Sequence, residues 1–405
     1  MIFKEYDLIT KDDISPEAFN DLKKFASYEE NYKYIDVAHG GNALRLKNYV
    51  GTISTKDGTV IEILPKIYGS ENDDLATKKI FLKMLKTLKK SPFKNINKAS
   101  LQTKNIDIFE IFISMFLEEL SELIRKGIKS NYLSKEENLH FLKGKIQLNS
   151  HLKQNLLHKE KFFVEFDEYT SNIPENIIIK TTLLKLYSIS KTLKNKQRLR
   201  EFIFIFDGID TSKNINNDFQ KCQTDRSMFQ YKEILIWCGI FLNNNSFTPY
   251  KGNNFVHALL FDMNMLFESY VAHYFKKQHK DREVQTQDKK HKLIESHDLF
   301  QLKPDIVIDR NIVFDTKWKL IDDNSAQYGL SQADLYQMYA YGKKYDSTDV
   351  FLIYPKSENF KSSAEIPFGY DESLKLHLLC FDCKNFSFND NKFESLKLYE
   401  RGNYG

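Results

Sequence analysis

Glycine and proline are scarce in this chain of 405 residues, with 15 and 8 residues respectively. These two residues dominate turns and flexible linkers, so long unstructured linkers are not expected. The apolar runs IFEIFISMFL and FIFIF are far shorter than the roughly 20 residues that span a bilayer. The first residues, MIFKEYDLIT, lack the basic and apolar regions of a signal peptide. We therefore expect a cytosolic protein.

Cysteine and net charge are also low. The four cysteines include Cys380 and Cys383, which form a single C-x-x-C with no second ligand pair nearby. A reducing cytosol argues against disulfides, and the lone pair favours buried thiols over a zinc site. With 59 basic and 55 acidic residues the net charge is only +4. That balance neither demands nor excludes a nucleic-acid partner, because phosphate binding depends on local patches.

Aromatic residues are plentiful, with 32 Phe and 22 Tyr, and the length predicts two or three domains. We expect a β-rich region over 1–100, a mostly helical region over 101–247 and a mixed α/β domain over 248–405. The main boundary falls in the polar, breaker-rich segment 243–254. The fold class is therefore α+β or α/β with several domains.

The first region contains a strong hairpin signal. The strands YVGTIST and TVIEIL flank Lys56-Asp57-Gly58, and Asp-Gly between alternating apolar residues is typical of a β-hairpin. Helical spacing of apolar residues predicts helices over 74–90, 106–126 and 177–192.

The last region is predicted as helix, strand, strand, helix, strand. The first helix covers 262–277, and a lysine-rich stretch over 276–292 follows it. The strands are PDIVID and NIVFDTKW, the second helix covers 331–343 and the last strand is VFLIYP. The lysine-rich stretch is either a contact for a phosphate-bearing partner or a solvated loop.

The two central strands bring acidic residues together. If a three-residue turn is centred on Arg310, Asp305 and Asp315 lie five residues on either side of it and face each other. Lys317 projects on the same face as Asp315, because side chains alternate along a strand. Two such carboxylates repel each other unless a cation neutralises them. A hard divalent cation such as Mg²⁺ is suited to the site, and the backbone carbonyl of Thr316 would add a ligand.

The segments Lys303-Pro304-Asp305 and Asp315-Thr316-Lys317 resemble the PD-(D/E)XK nuclease signature. A closer resemblance is to the McrC subunit of McrBC-type, modification-dependent restriction systems. The segments that carry it are MNMLFESYVAHYF (263–275), KPDIVI (303–308), VFDTKWK (313–319) and DLYQMYAYG (334–342). Upstream, VGTISTKDGTVIEILPKI (50–67), LKGKI (142–146) and FDEYTSNIPEN (166–176) also resemble it, whereas the first 40 residues and 346–405 match only loosely.

The resemblance implies a C-terminal nuclease domain, a mixed sheet flanked by helices, with Asp305, Asp315 and Lys317 as catalytic residues. It adds Glu268 as a metal ligand and Gln337 as a contact for DNA or the attacking water. Both residues could equally be plain surface positions of amphipathic helices. The implied cofactor is Mg²⁺, for which Mn²⁺ can substitute, and the implied substrate is double-stranded, methylated DNA.

The implied partner is a hexameric McrB-like AAA+ GTPase, within a system that defends against phage. This chain lacks a G-x-x-x-x-G-K-[ST] phosphate loop, so nucleotide hydrolysis would occur in the partner. The N-terminal half would dock on the partner and stimulate it, with the hairpin at Asp57-Gly58 as a candidate contact. Two alternatives are a non-catalytic adaptor of an AAA+ motor and a stand-alone repair nuclease.

Overall fold

The computed structural model describes residues 1–70, 73–88, 92–95, 107–222, 226–242, 256–322, 325, 329–368 and 373–388. The helices are α1 (Pro16–Ala26), α2 (Asp74–Thr87), α3 (Ile108–Lys126), α4 (Leu148–Gln154), α5 (Pro174–Ile189), α6 (Leu193–Ile205), α7 (Ile215–Lys221), α8 (Lys232–Leu242), α9 (Met263–Gln278) and α10 (Gln332–Lys344). The strands of the first 170 residues are β1 (Ile2–Lys4), β2 (Leu8–Thr10), β3 (Ile35–Ala38), β4 (Ala43–Leu46), β5 (Tyr49–Thr55), β6 (Val60–Leu64), β7 (Asn131–Leu139), β8 (Lys145–Ile146) and β9 (Phe162–Thr170). The later strands are β10 (Val256–Asp262), β11 (Val284–Thr286), β12 (Lys292–Ile294), β13 (Leu299–Gln301), β14 (Ile306–Ile308), β15 (Ile312–Thr316), β16 (Asp349–Pro355), β17 (Ala364–Pro367), β18 (Lys375–Asp382) and β19 (Ser387–Phe388).

The chain divides into two compact units. One contains Met1–Ile108 together with Ser246–Gly405, and the other contains Phe109–Asn245. The first and last of the three regions expected from the sequence thus share one unit, which the chain leaves and re-enters.

The reason for this sharing is a sheet that uses strands from both ends of the chain. Its strand order is β1-β6-β5-β10, and β5 and β6 form the predicted antiparallel hairpin. Strand β10 pairs antiparallel with β5 over its whole length, from Val256 opposite Thr55 to Asp262 opposite Tyr49. Gly51 has φ 139°, and a Cβ there would meet the Leu259 carbonyl oxygen at 2.0 Å, so the close approach of these strands requires glycine.

Helix α9 begins where β10 ends. Asp262 caps it by accepting a hydrogen bond from the Asn264 N–H at 2.8 Å, as acidic N-cap residues do. The residues of α9 that pack inward are apolar and recur at helical spacing: Met263, Leu266, Phe267, Tyr270, Val271 and Phe275.

A second sheet of the same unit has the order β11-β14-β15-β16-β18-β17, with β19 paired to β18. Strands β14 and β15 are antiparallel, whereas β15, β16 and β18 run parallel. The central strands are buried and apolar on both faces, as parallel strands covered by other elements are. Helix α10 packs beside them, capped by the Ser331 side chain, which accepts from the Asp334 N–H at 3.1 Å. The predicted series helix, strand, strand, helix, strand is thus confirmed as α9, β14, β15, α10 and β16.

The unit formed by Phe109–Asn245 contains helices α3 to α8 and a three-stranded sheet of order β7-β9-β8. The predicted helices over 106–126 and 177–192 are confirmed as α3 and α5, with shifted ends. Buried Glu110 of α3 accepts hydrogen bonds from Ser190, Thr192 and Asn195 and so satisfies the polar groups at the start of α6. The sheet makes this region more mixed than the sequence suggested.

None of the helices in the described part of the chain is both long and apolar enough to cross a membrane.

Candidate active site

The hairpin of β14 and β15 has the register that the sequence predicted. Ile306 pairs with Phe314 and Ile308 pairs with Ile312, so a three-residue turn separates the strands. Continuing this register by one position places Asp305 opposite Asp315. Asp309 and Arg310 in the turn have left-handed φ values of 49° and 71°, a conformation that Asp tolerates better than most residues.

Asp305 is held by hydrogen bonds to both of its carboxylate oxygens. Its Oδ2 accepts from the Thr316 backbone N–H and from the Thr316 hydroxyl, each at 2.7 Å. Its Oδ1 accepts from the Gln287 side-chain amide at 3.2 Å. Burial raises the pKa of Asp305, and the hydrogen bonds from Thr316 partly oppose that rise. The carboxylate is therefore fixed in orientation while keeping lone pairs for a further partner.

Asp315 is almost completely buried, with 2% of its surface exposed. The Lys317 ammonium lies 2.8 Å from its Oδ2 in an ion pair. Burial and the charge of nearby Asp305 raise the pKa of Asp315 to about 7. The side chain is thus a carboxylate with too little neutralising charge around it, which is the condition that favours cation binding.

Lys317 is surrounded by acceptors. Its Nζ lies 3.5 Å from an Asp334 carboxylate oxygen and donates a hydrogen bond to the Gln337 side-chain oxygen at 3.2 Å. Gln337 is fixed in turn, because its amide donates to the Tyr341 hydroxyl at 2.7 Å. Burial alone would lower the pKa of Lys317, but the charges of Asp315, Asp334 and Asp305 and the hydrogen bond to Asp315 together outweigh burial and raise the pKa. Lys317 is therefore an ammonium ion that can stabilise negative charge, and it is poorly suited to act as a base.

Glu268 lies near these residues on α9, but an amide separates it from Asp305. The Gln287 side chain donates to Glu268 at 2.5 Å and to Asp305 at 3.2 Å. Burial, and then the charge of Asp305, raise the pKa of Glu268 to about 7. The structure thus groups three acidic residues whose ionised forms are all disfavoured by burial.

Gln287 was not predicted from the sequence. Its backbone has φ 56°, and its N–H donates to the Asp305 carbonyl at 2.9 Å, which aims the side chain between two acids. In the sequence it is one polar residue of a lysine-rich stretch, and nothing distinguishes it there. Thr316 was predicted for its carbonyl oxygen, whereas the structure shows its N–H and hydroxyl orienting Asp305.

Trp318, which follows Lys317, fixes the segment that comes directly after β15. Its backbone N–H donates to Asn264 at 3.3 Å, and its ring packs edge-on against Phe267 at 5.3 Å. Its indole N–H donates to both carboxylate oxygens of Glu5, each at 2.9 Å. Burial raises the pKa of Glu5 to about 7, against hydrogen bonds from Lys66 and Trp318 that lower it. The end of β1 is in this way tied to the residue beside Lys317.

The donor set fits a Mg²⁺ site of open character. Within the described residues, no three His, Cys, Asp or Glu side chains are grouped closely enough to enclose a metal ion. Mg²⁺ does not require such a cage, since it keeps several waters and is bound through one or two carboxylates. Asp305 and Asp315, oxygen donors on facing positions with raised pKa values, supply that arrangement.

Other sequence candidates lie elsewhere. Cys380 and Cys383 are buried free thiols, and burial raises the pKa of Cys383.

The candidate docking residue Asp57 is occupied within its own turn. Its carboxylate accepts hydrogen bonds from Ser15 at 2.5 Å, Thr55 at 2.6 Å and both the N–H and hydroxyl of Thr59.

Comparison with known proteins shows the family of the chain. The family model described as McrBC 5-methylcytosine restriction system component matches residues 44–355, which is more than half of the chain. The chain therefore belongs to this family of restriction-system components. Because it has no phosphate loop of the kind that an AAA+ motor needs, it corresponds to a McrC-like subunit.

Solved structures are similar in fold. A chain in the refined half-complex from the tetradecameric assembly of Thermococcus gammatolerans McrB AAA+ hexamers with bound McrC has a TM-score of 0.65 and 18% identity. The match covers 95% of this chain and 97% of that one. A chain in the cryo-EM structure of the Thermococcus gammatolerans McrBC complex has a TM-score of 0.46 and 19% identity, covering 67% of this chain and 85% of that one. No protein with a curated description matches the chain.

Proposed function

We propose that this protein is the DNA-cleaving subunit of a modification-dependent restriction complex, a Mg²⁺-dependent endonuclease with a PD-(D/E)XK-type active site. It acts with a McrB-like AAA+ GTPase hexamer in the cytoplasm and stimulates the hydrolysis of GTP by that partner. Family membership supports the restriction system, and the similar Thermococcus gammatolerans assembly consists of McrB AAA+ hexamers with bound McrC.

One observation carries the proposal. The half-buried carboxylate of Asp305 and the buried carboxylate of Asp315 face each other across a hairpin, and an ammonium ion lies 2.8 Å from Asp315. A purely structural hairpin would gain nothing from this arrangement, since burying unbalanced charge costs free energy. Perturbed acids of this kind are typical of functional sites.

The protein groups divide the work as follows. Asp305, Asp315 and the Thr316 carbonyl would hold Mg²⁺, with Glu268 as an outer acid reached through Gln287. Bound Mg²⁺ would supply a water of lowered pKa and offset charge on the phosphate. Lys317, which stays protonated, stabilises the charge that develops on the phosphate and orients the water. Gln337 holds the Lys317 ammonium in place, and Tyr341 holds Gln337.

A surface suited to a protein partner occurs on the unit formed by Phe109–Asn245. Large apolar side chains there are more than half exposed around the β7-β9-β8 sheet and α4: Tyr132, Phe141, Leu142, Leu148, Leu152, Leu156, Leu157 and Tyr169. Exposed apolar groups in such number are typical of a protein interface. This surface supports docking on the AAA+ partner better than the hairpin at Asp57, whose carboxylate is already used.

The test is plasmid cleavage with the AAA+ protein, GTP and Mg²⁺, using methylated and unmethylated DNA. Wild type should cut only the modified plasmid, and Asp315→Asn should cut neither while still stimulating GTP hydrolysis. Asp309→Asn is a matched control in the turn of the same hairpin, where Asn also tolerates the left-handed backbone. Equal cleavage by Asp315→Asn and wild type would overturn the assigned site. Stimulation without cleavage by wild type would instead support the adaptor alternative.

A further inference from the structure

We propose that residues 288–303, here named the basic arm, form a β-ribbon that enters the major groove of duplex DNA beside the cleavage site. This inference rests on the proposed function and names the part of the surface that holds the substrate. The arm contains β12 and β13, which pair antiparallel with Lys292 opposite Gln301 and Ile294 opposite Leu299. The major groove is about 12 Å wide and accepts a two-stranded ribbon, whereas the minor groove is only about 6 Å wide.

The basic arm is adjacent along the chain to residues of the proposed active site. Gln287 precedes it and Asp305 lies two residues after it, and these two are joined by the bond from the Gln287 N–H to the Asp305 carbonyl at 2.9 Å. The Gln301 amide closes its base by donating to the carbonyls of Lys289 at 2.9 Å and His291 at 2.7 Å. The turn of the ribbon lies between the paired residues Ile294 and Leu299 and contains the short helical turn Glu295–His297.

The charge of the basic arm suits a polyanion. Each of its acids is engaged: Asp288 accepts from Tyr345, Glu295 pairs with Lys344, and Asp298 pairs with Lys292. Lys289, Lys290 and Lys303 are exposed. Across the part of the chain that the structure describes, these three lysines form no ion pair. The arm holds four lysines and three acids, and its exposed Lys289 and Lys290 present positive charge beside the proposed site.

Strand β13 of the basic arm exposes apolar side chains and contains a strained backbone position. Phe300 is 68% exposed and Leu299 is 50% exposed, and Phe300 has φ 58°. A left-handed backbone is unfavourable for a bulky residue, and exposing an aromatic ring gains nothing in water. Such cost is retained where a side chain serves binding. In the major groove, apolar side chains contact the methyl groups of pyrimidines.

The experiment measures DNA binding by the full-length chain with Asp315→Asn as the parent, so that no duplex is cut. A labelled duplex of about 30 base pairs, long enough to span several turns of groove, is titrated over a series of salt concentrations. Adding Lys289→Ala and Lys290→Ala together should weaken binding about tenfold and reduce the log–log salt slope by about 2, or roughly 0.9 per lost phosphate contact. Adding Phe300→Ala should weaken binding about tenfold with an unchanged slope, and Phe300→Leu should restore most of it.

Matched controls remove exposed residues of the same compact unit away from the basic arm. Lys11→Ala with Lys83→Ala, and separately Tyr32→Ala, should leave affinity and slope unchanged. If the arm variants bind like the parent while wild type still cuts plasmid DNA, the basic arm is not a DNA contact and the nuclease assignment stands. If they bind normally but lose stimulation of GTP hydrolysis, the arm contacts the protein partner and the inference is wrong.

Discussion

Two β-hairpins of the same compact unit carry aspartates, and the protein surrounds the two sets of carboxylates differently. At the turn between β5 and β6, Asp57 accepts hydrogen bonds from Ser15, Thr55 and Thr59. Burial acts to raise its pKa, but these bonds together outweigh burial and hold the pKa below its usual range. On the hairpin of β14 and β15, burial raises the pKa of Asp315 to about 7.

The difference distinguishes a carboxylate that stabilises its own turn from carboxylates that remain available to a ligand. Asp57 is satisfied by its own turn, so its charge adds stability and is unavailable to a ligand. The carboxylates of Asp305 and Asp315 face each other in a buried place, and Lys317 supplies the only ammonium ion paired with them in the described chain. Their remaining negative charge favours the binding of a cation.

The largest expected effect comes from neutralising Asp315, a carboxylate that remains available to a ligand. Asp315→Asn should lower the cleavage rate at least about a thousandfold, because metal-ion stabilisation is worth several kcal/mol. Chelation of Mg²⁺ should do the same to wild type. Asp57→Asn should cleave within about twofold of wild type in the same plasmid assay. Comparable losses in both variants would erase the distinction between the two hairpins.

Removing the ammonium ion should separate metal binding from catalysis. Lys317→Met should lower the cleavage rate about 10²- to 10³-fold, as the loss of a charge-stabilising donor does. Its affinity for Mn²⁺, measured by calorimetry, should stay equal or rise, because Lys317 competes with the cation for Asp315. Weaker Mn²⁺ binding would show that the lysine helps to build the site instead.

The carboxylate of Glu5 shares features with both hairpins. It is hydrogen bonded, as Asp57 is, yet its pKa is raised to about 7, as that of Asp315 is. Its folded-state pKa exceeds the unfolded value of about 4.5, so its contribution to stability is complete below pH 4.5 and is lost as pH rises through 7. The shift corresponds to about 3 kcal/mol. Lys66 and Asp7 also face the group, the first lowering and the second raising its pKa.

The side chain of residue 5 cannot ionise in Glu5→Gln, so the free energy of unfolding of this variant should not show this loss as the pH rises. The difference in the free energy of unfolding between wild type and Glu5→Gln should therefore change by about 3 kcal/mol between about pH 4.5 and pH 7.5. Urea unfolding at several pH values measures it, and exposed Glu358→Gln should run parallel to wild type. A constant difference for Glu5→Gln would mean that Glu5 does not titrate in this range.

The smallest effect is expected at the turn. Asp57→Ala should lower the free energy of unfolding by about 1 kcal/mol, the net value of exposed turn hydrogen bonds. Stimulation of GTP hydrolysis by the partner should be unchanged, since the carboxylate faces its own chain. If Asp57→Ala is stable but no longer stimulates GTP hydrolysis, the hairpin is part of the docking surface after all.

Local patterns in the sequence predicted both hairpins, because turn residues and alternating apolar residues act over a few positions. The pairing of Asp305 with Asp315 followed from counting residues around Arg310, and the register confirms it. Family resemblance added Glu268 and Gln337, which the structure places near the same hairpin.

What the sequence did not predict depends on contacts between distant segments. Gln287 reaches Glu268 and Asp305 through a left-handed backbone, which no propensity indicates for Gln. Glu5 reads as one acid at the end of a short apolar strand, and its role depends on a tryptophan 313 residues away. The pairing of β10 with β5, which brings both ends of the chain into one unit, was likewise not predicted from the sequence.

The bond between Glu5 and Trp318 also has a consequence for the order in which the protein is made. The unit formed by Phe109–Asn245 is continuous, so all of it leaves the ribosome before the other unit is complete. Strand β1 must wait for Trp318, and β5 must wait for β10, through most of synthesis. A nascent chain therefore has the unit formed by Phe109–Asn245 ready first, while the hairpin that carries Asp305 and Asp315 is synthesised after it.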